Sequence, residues 1–436
     1  MRVAGDHEQS DQRAVTMEYH RRRVMGKQRA SFLVKIASAP ATVFVVALGV
    51  RFALLNQFFP TTIWPFFYKN NEVSRIAWAL VSGWGFSSPW PNTPLAPTAQ
   101  QPPLYPLLLA GIFKLAGAYT YRSLWIAVVL NAIFSAVAAA MMVRLGRRDL
   151  SPAAGLLAGW VCACWGYEGV VSLRLWDSSL VGLMIVLVLW WTPALEESGS
   201  MATWSLFGAV TGAALLTDTG LASILLPLWV WLWWRRRGRG QSRYLIPVSV
   251  AVCVVVLAPW TIRNYQVFHR FIPVRDNFGM EFWIGNHEGA PIHAVNFPRD
   301  FPLNHAEAYS REGEINFMES RQRLALEFIR SHPVRFLLMC GDRAVGYWTQ
   351  PYPVIWGAVA VACWTGLVLL FRQRARMAFP YAMVIGLFPL VFYATHAFLT
   401  YRQPIEPEIL LLASYALIGG VKALAGGRRS RGLAAH

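Results

Sequence analysis

Charge is scarce in this 436-residue chain: only 14% of residues are Asp, Glu, Lys or Arg, against roughly 25% in an ordinary soluble domain. Acids are scarcer than bases, 23 against 40, which leaves a formal net charge of +17. Cysteine is also rare. The five thiols stand mostly in or beside apolar runs, too few for a disulfide framework, and read as reduced packing residues. Zinc-type ligand spacings, a P-loop and a dinucleotide fingerprint are missing, so nucleotide hydrolysis by this chain is not expected. What is abundant is apolar surface: 55% hydrophobic residues, 20 Trp, 25 Phe and a mean hydropathy of +0.37. That composition excludes an ordinary soluble globule and a disordered chain, and it points to lipid.

Apolar runs near the ~20-residue spanning length occur at Ile36–Leu55, Leu124–Val143, Ala153–Val171, Arg174–Pro193, Ala202–Thr217, Leu221–Trp234, Tyr244–Thr261, Val354–Phe371, Ala378–Thr395 and Ile409–Leu424. The shorter run Leu104–Gly117 opens with Pro102-Pro103 and reads as a helix lying in the interface. With the N-terminus cytoplasmic, ten crossings place Arg21-Arg22-Arg23, Arg144, Arg147-Arg148, Arg235-Arg236-Arg237, Arg372 with Arg374, and Arg428-Arg429 on the inside. This is the positive-inside pattern, so the basic excess orients the chain in the membrane and nucleic acid is not an expected partner. A polar tail over residues 1–35 precedes the first span, and no cleavable signal peptide is read there.

The expected organisation follows. An N-terminal membrane module covers 36–262 and contains a first outside loop, 58–122. An outside segment, α or α+β, covers 263–353, where acidic residues concentrate. Membrane helices cover 354–424, and a cytoplasmic tail follows at 425–436. One hairpin is short. Each arm of Ala202–Trp234 has about 15 residues, or roughly 22 Å, below the ~30 Å hydrocarbon thickness. Its turn, Thr217-Asp218-Thr219-Gly220, is therefore expected below the outer surface, where an acid survives only by lining a cavity.

Few side chains could carry chemistry on the outer face. Glu72 is the only carboxylate between the first span and Asp149. It reads either as a solvated acid paired with Arg75 or as a general base or metal ligand at the interface. Asp177 begins a span and suits an N-cap, and at that depth it can also point into the cavity. Glu168 lies near the same mouth. Arg263 and Arg402 read as headgroup-snorkelling residues or as a clamp on a lipid-borne phosphate, which guanidinium binds bidentately. Arg402 is the better candidate because Gln403-Pro404 follows it. His396 and Tyr401 fit an interfacial belt, and His287 lacks companions at metal-ligand spacing.

The string from Glu72 through Gly83-Trp84-Gly85-Phe86 and Pro97-Thr98-Ala99-Gln100-Gln101-Pro102-Pro103-Leu104-Tyr105-Pro106 to Asn131 resembles the first outside loop of bacterial GT-C glycosyltransferases. These are relatives of protein O-mannosyltransferases and of the aminoarabinose transferase of lipid A. Trp176-Asp177, Ala258-Pro259-Trp260-Thr261-Ile262-Arg263-Asn264-Tyr265 and Tyr401-Arg402-Gln403-Pro404-Ile405-Glu406-Pro407 look like later landmarks of the same group. The resemblance implies an all-α polytopic fold of about ten membrane helices. It also implies inverting transfer of a sugar from a polyprenyl-phosphate donor to a lipid, glycan or protein acceptor on the outer face of a bacterial plasma membrane. Glu72 and Asp177 would then be catalytic, and Arg402 and Arg263 would hold the donor phosphate. Asp218, Glu168, Gln101, Tyr105, His396 and Tyr401 would line the cavity, with a divalent metal ion in some relatives. The chain departs from the group at Asn70-Asn71, Gln100-Gln101 and Asp218. A flippase of lipid-linked saccharide and a non-catalytic membrane scaffold are the rival readings. No internal repeat of the transporter kind is visible.

Overall fold

The computed structural model describes residues 35–58, 71–90, 93–237, 242–290 and 301–433. The basic tail and Tyr68-Lys69-Asn70 fall outside that set. Every apolar run of the sequence becomes helix, and among the described residues the one β feature is an isolated bridge between Ser87 and Pro97. The first span, α1, is Pro40–Phe58. The segment after it carries α2 (Glu72–Val81) and α3 (Leu104–Ala116), and α4 (Tyr121–Asp149) crosses back. Then follow α5 (Pro152–Cys164), α6 (Gly166–Ser172), α7 (Ser178–Glu197), α8 (Met201–Leu215), α9 (Ala222–Arg237) and α10 (Leu245–Phe268).

Among its described residues the long segment between membrane helices is helical and not mixed: α11 (Phe278–Gly285), α12 (Phe301–Glu312), α13 (Glu314–Ser331) and α14 (Pro333–Thr349). The chain closes with α15 (Pro353–Arg372), α16 (Ala378–Leu387), α17 (Leu390–Ala394), a 3₁₀ turn at Leu399–Ile405 and α18 (Glu406–Leu433). Six of these helices are long and apolar enough to cross a membrane, and four shorter apolar ones accompany them.

Two expected single spans are broken. Ala153–Val171 divides at Trp165 into α5 and α6, and Ala378–Thr395 divides at Phe388-Pro389 into α16 and α17. A helix end inside the bundle leaves carbonyls without intrahelical partners. At the first break a buried cation meets them: Arg51 of α1 reaches the carbonyls of Cys162 and Ala163 at 3.4 and 3.5 Å. The same guanidinium donates to Ser135 Oγ of α4 at 2.6 Å. Satisfied in this way, a charge can sit fully buried among α1, α4 and α5.

The largest apolar cluster runs through α1, α4, α5, α7–α10, α15, α16 and α18, with α17 packed against it. One end of the bundle is basic and stapled. Glu196 at the end of α7 is buried and takes Arg235 at 2.7 Å and Arg376 at 2.6 Å. The opposite end carries α2, α3 and α11–α14, and the candidate site lies there.

Candidate active site

Glu72 stands at the first position of α2. Asn71 caps the helix, its Oδ1 accepting from Ser74 N at 3.2 Å, while its Nδ2 donates to the Leu175 carbonyl at 3.1 Å. One residue thus starts the Glu72 helix and ties it to the turn before Asp177. A second tie comes from Asn131 on α4, which donates to the Tyr105 hydroxyl at 2.8 Å and the Arg174 carbonyl at 2.7 Å. The hairpin turn expected at depth is seated beside the same segment, because Leu104 N donates to the Leu216 carbonyl at 2.9 Å. Asp218 caps that turn through Gly220 N at 2.6 Å.

The Glu72 carboxylate accepts from Trp90 Nε1 at 3.2 Å and from Gln101 Nε2 at 2.5 Å. It is not paired with Arg75, which donates instead to the carbonyls of Ser88 and Thr93 at 3.2 and 3.1 Å. Burial and, secondly, the nearby charge of Glu281 raise the proton affinity of Glu72 above the ordinary carboxyl value. Glu281 on α11 is raised too, chiefly by burial. It accepts from Asn277 Nδ2 at 2.7 Å, and its other oxygen lies 3.2 Å from His396 Nε2. His396 is buried and pushed down to about 4 by desolvation, with Arg343 opposing its protonation. A neutral imidazole results, within 3.1 Å of the Tyr401 hydroxyl.

Arg275 is the charge around which these groups gather. Its Nη2 lies 3.8 Å from Glu281. It acts electrostatically on Glu72, Asp177, Asp218 and Glu281, and Asp177 and Asp218 feel one another. Among the described residues its Nε has no hydrogen-bond partner. Four carboxyls from α2, the start of α7, the α8–α9 turn and α11 therefore lie within electrostatic reach of one guanidinium, and Glu281 is the one at ion-pair distance. Sequence reading found three of them. It missed Arg275 and Glu281, which stand in Pro273-Val274-Arg275-Asp276 and Gly279-Met280-Glu281, where no local pattern marks them.

The other expected residues are placed as follows. Gln101 and Tyr105 are buried against Glu72 and Asn131 respectively. Glu168 lies on α6, and its side chain is outside what is described. Arg263 donates to the carbonyls of Thr98 and Phe86 at 2.7 and 3.0 Å, holding the first segment down. Arg402 is 2% exposed. It donates to the Tyr347 and Gln350 carbonyls at 2.6 and 2.9 Å and to Glu406 at 3.1 Å, with its face on Trp356. Arg402 is thus occupied inside the bundle and not gathered with Glu72 and Asp177. Among the described residues no three of His, Cys, Asp and Glu converge to hold a metal ion.

Residues 100–262 match the family model described as dolichyl-phosphate-mannose-protein mannosyltransferase. No curated protein matches the chain in sequence. Two solved structures of an oligosaccharyltransferase from Archaeoglobus fulgidus share its architecture. AglB in complex with an inhibitory peptide and a dolichol-phosphate has a TM-score of 0.51 at 12% identity, over 90% of this chain and 52% of that one. The complex with Zn and sulfate has 0.51 at 14% identity, over 88% and 49%. The chain spans about half the length of either. ArnT from Cupriavidus metallidurans bound to undecaprenyl phosphate is more distant, with a TM-score of 0.39 at 14% identity over 86% and 77%. The fold of this chain is that of the GT-C superfamily of membrane glycosyltransferases.

Proposed function

We propose that the chain transfers a sugar from a polyprenyl-phosphate donor to a lipid, glycan or protein acceptor at the outer face of a bacterial plasma membrane, with inversion. The observation that carries this reading is the gathering of Glu72, Glu281 and Arg275, with Asp177 and Asp218 within electrostatic reach of that guanidinium, in a GT-C fold whose neighbour AglB holds a dolichol-phosphate. An acceptor hydroxyl or amine attacks the anomeric carbon while Glu72 removes its proton. Its raised proton affinity makes it a stronger base than a solvated carboxylate. Charge develops on the departing phosphate, and the Arg275 guanidinium, the cation nearest Glu281 and within electrostatic reach of Glu72, stabilises it. This gives Arg275 the phosphate role anticipated for Arg402 and Arg263, whose guanidinium groups bond to protein carbonyls. Asp177 and Asp218 then shape the sugar side of the cavity.

The test is Glu72→Gln in purified protein reconstituted in liposomes with radiolabelled polyprenyl-phosphate sugars and an envelope extract as acceptor. Transfer is expected to fall on the order of 10²-fold or more, with the thermal unfolding midpoint unchanged. Full transfer in the variant removes Glu72 from the mechanism. Accumulation of labelled lipid inside the vesicles without transfer would favour the flippase reading.

A further inference from the structure

Where α13 begins, a carboxylate from far along the chain grips the first segment just before Gln101. Glu314 accepts from Thr98 Oγ1 at 2.5 Å through one oxygen and from Ala99 N at 2.5 Å through the other, and the Tyr309 hydroxyl also donates to it. Asp276 N donates to the Ala99 carbonyl at 3.1 Å, and Arg263 takes the Thr98 carbonyl. Thr98 and Ala99 are thus held by α10, the 269–277 loop and α13, with α12 bracing Glu314. Two residues further on, Gln101 bonds Glu72.

The grip contains a second carboxyl. Both Asp276 oxygens are sealed from solvent, and no donor of the described residues reaches them. The acid beside it is Glu314, since Asp276 N and the Glu314 carboxylate bond the two sides of Ala99, and the two carboxyls can join through a hydrogen bond when one of them is protonated. Burial raises the proton affinity of Glu314 too, but three donors to its oxygens oppose that, so of the two it is the carboxyl held ionised. Two ionised carboxylates cannot share a buried site. The bond therefore needs one proton, and it resides on Asp276 and is donated to Glu314.

We propose that Glu314 is a positioning residue for Gln101 and Glu72, and that a single proton held between Asp276 and Glu314 fastens it to the first segment. The catalytic consequence rests on the reading of Glu72 as the base; the fastening does not. The charged and titratable groups facing the pair are Tyr309 from α12, Arg263 from α10 and Arg275 from its own loop. Burial, and then the charge of Glu314, push Asp276 up to about 8. Because this folded value lies above the ordinary 3.8, the fastening is tightest in acid. It weakens as pH rises toward about 8, beyond which nothing further is lost.

Hydrogen–deuterium exchange of the full chain in lipid nanodiscs, followed at residues 97–101 from pH 5 to 9 and corrected for intrinsic exchange, tests the proton. Opening in the wild type is expected to rise on the order of tenfold per pH unit and then level off. Asp276→Asn donates to Glu314 without needing a proton, so its opening should be flat with pH. A flat wild type, or a variant that titrates like it, overturns the proposal. Carbodiimide modification of Glu72 at one fixed pH, read by peptide mass spectrometry, tests the positioning. Glu314→Ala should accelerate it several-fold, and an unchanged rate severs Glu314 from Glu72. Neither measurement requires turnover, so inactivity of the enzyme and failure of the fastening are told apart.

Discussion

Arg402 and Arg275 are the same residue type at the same end of the bundle, and their surroundings give them different work. Arg402 has Glu406 beside it, two carbonyls in front and Trp356 beneath. Removing one member of a buried pair leaves the other charge unpaired, at a cost of about 3–5 kcal/mol. Arg402→Ala should therefore lower the thermal unfolding midpoint sharply, and Arg402→Met with Glu406→Leu should recover part of the loss. On the proposed function, binding of a polyprenyl phosphate by the folded fraction should persist in Arg402→Ala. A variant of wild-type stability that has lost that binding would return Arg402 to the phosphate site. The sequence showed a rigid Arg-Gln-Pro motif but not its direction. A guanidinium that clamps phosphate and one that clamps carbonyls need the same flanking residues. Glu72 was legible because it stands alone among apolar residues. Arg275 and Glu281 were not, since they lie in a segment rich in charge, and only the packing of α11 against Trp90 brings them to Glu72.

At the scale of elements, the hairpin α8–α9 was readable from length alone, and its turn brings Asp218 within electrostatic reach of Asp177 and Arg275. What length could not show is how α8 is held. It packs on α10 through two glycines one turn apart. A Cβ on Gly212 would come 2.8 Å from Val256 Cβ, and one on Gly208 would collide with the Ser249 carbonyl. Small residues at such spacing let two helix backbones approach in lipid, where dispersion and not the hydrophobic effect drives packing. Gly208→Val should force the pair apart and cost about 1–3 kcal/mol, read as a fall in the unfolding midpoint, with Gly212→Ala milder. An unchanged midpoint in Gly208→Val would mean that α8 moves freely against α10. The break at Trp165 was hidden for the opposite reason. Hydropathy runs on through Cys162-Ala163-Cys164-Trp165, and the residue that satisfies the exposed carbonyls, Arg51, comes from more than 100 positions earlier.

Over the whole molecule the charges divide by end. Arg235, Arg236 and Arg376 cluster about Glu196 and the carbonyls at the end of α7, so the basic turns both staple the bundle and carry the positive-inside bias. The four carboxyls and Arg275 lie at the other end, with α11–α14 over them. If the bias sets the orientation, the basic end faces the cytoplasm and the carboxyls face out. Single cysteines test this in a background where the five native thiols are replaced. Ser200 and Asn316 are exposed positions at the two ends. Cysteine at Asn316 should react with a membrane-impermeant maleimide on intact cells, while cysteine at Ser200 should react only after permeabilisation. The reverse pattern would put Glu72 on the cytoplasmic side and direct the search for donor and acceptor to that face. The same labelling after Arg235 and Arg237 are both changed to Gln measures how much of the orientation those two charges supply. A mixed population is expected, because Arg372, Arg374 and Arg376 remain on the same end.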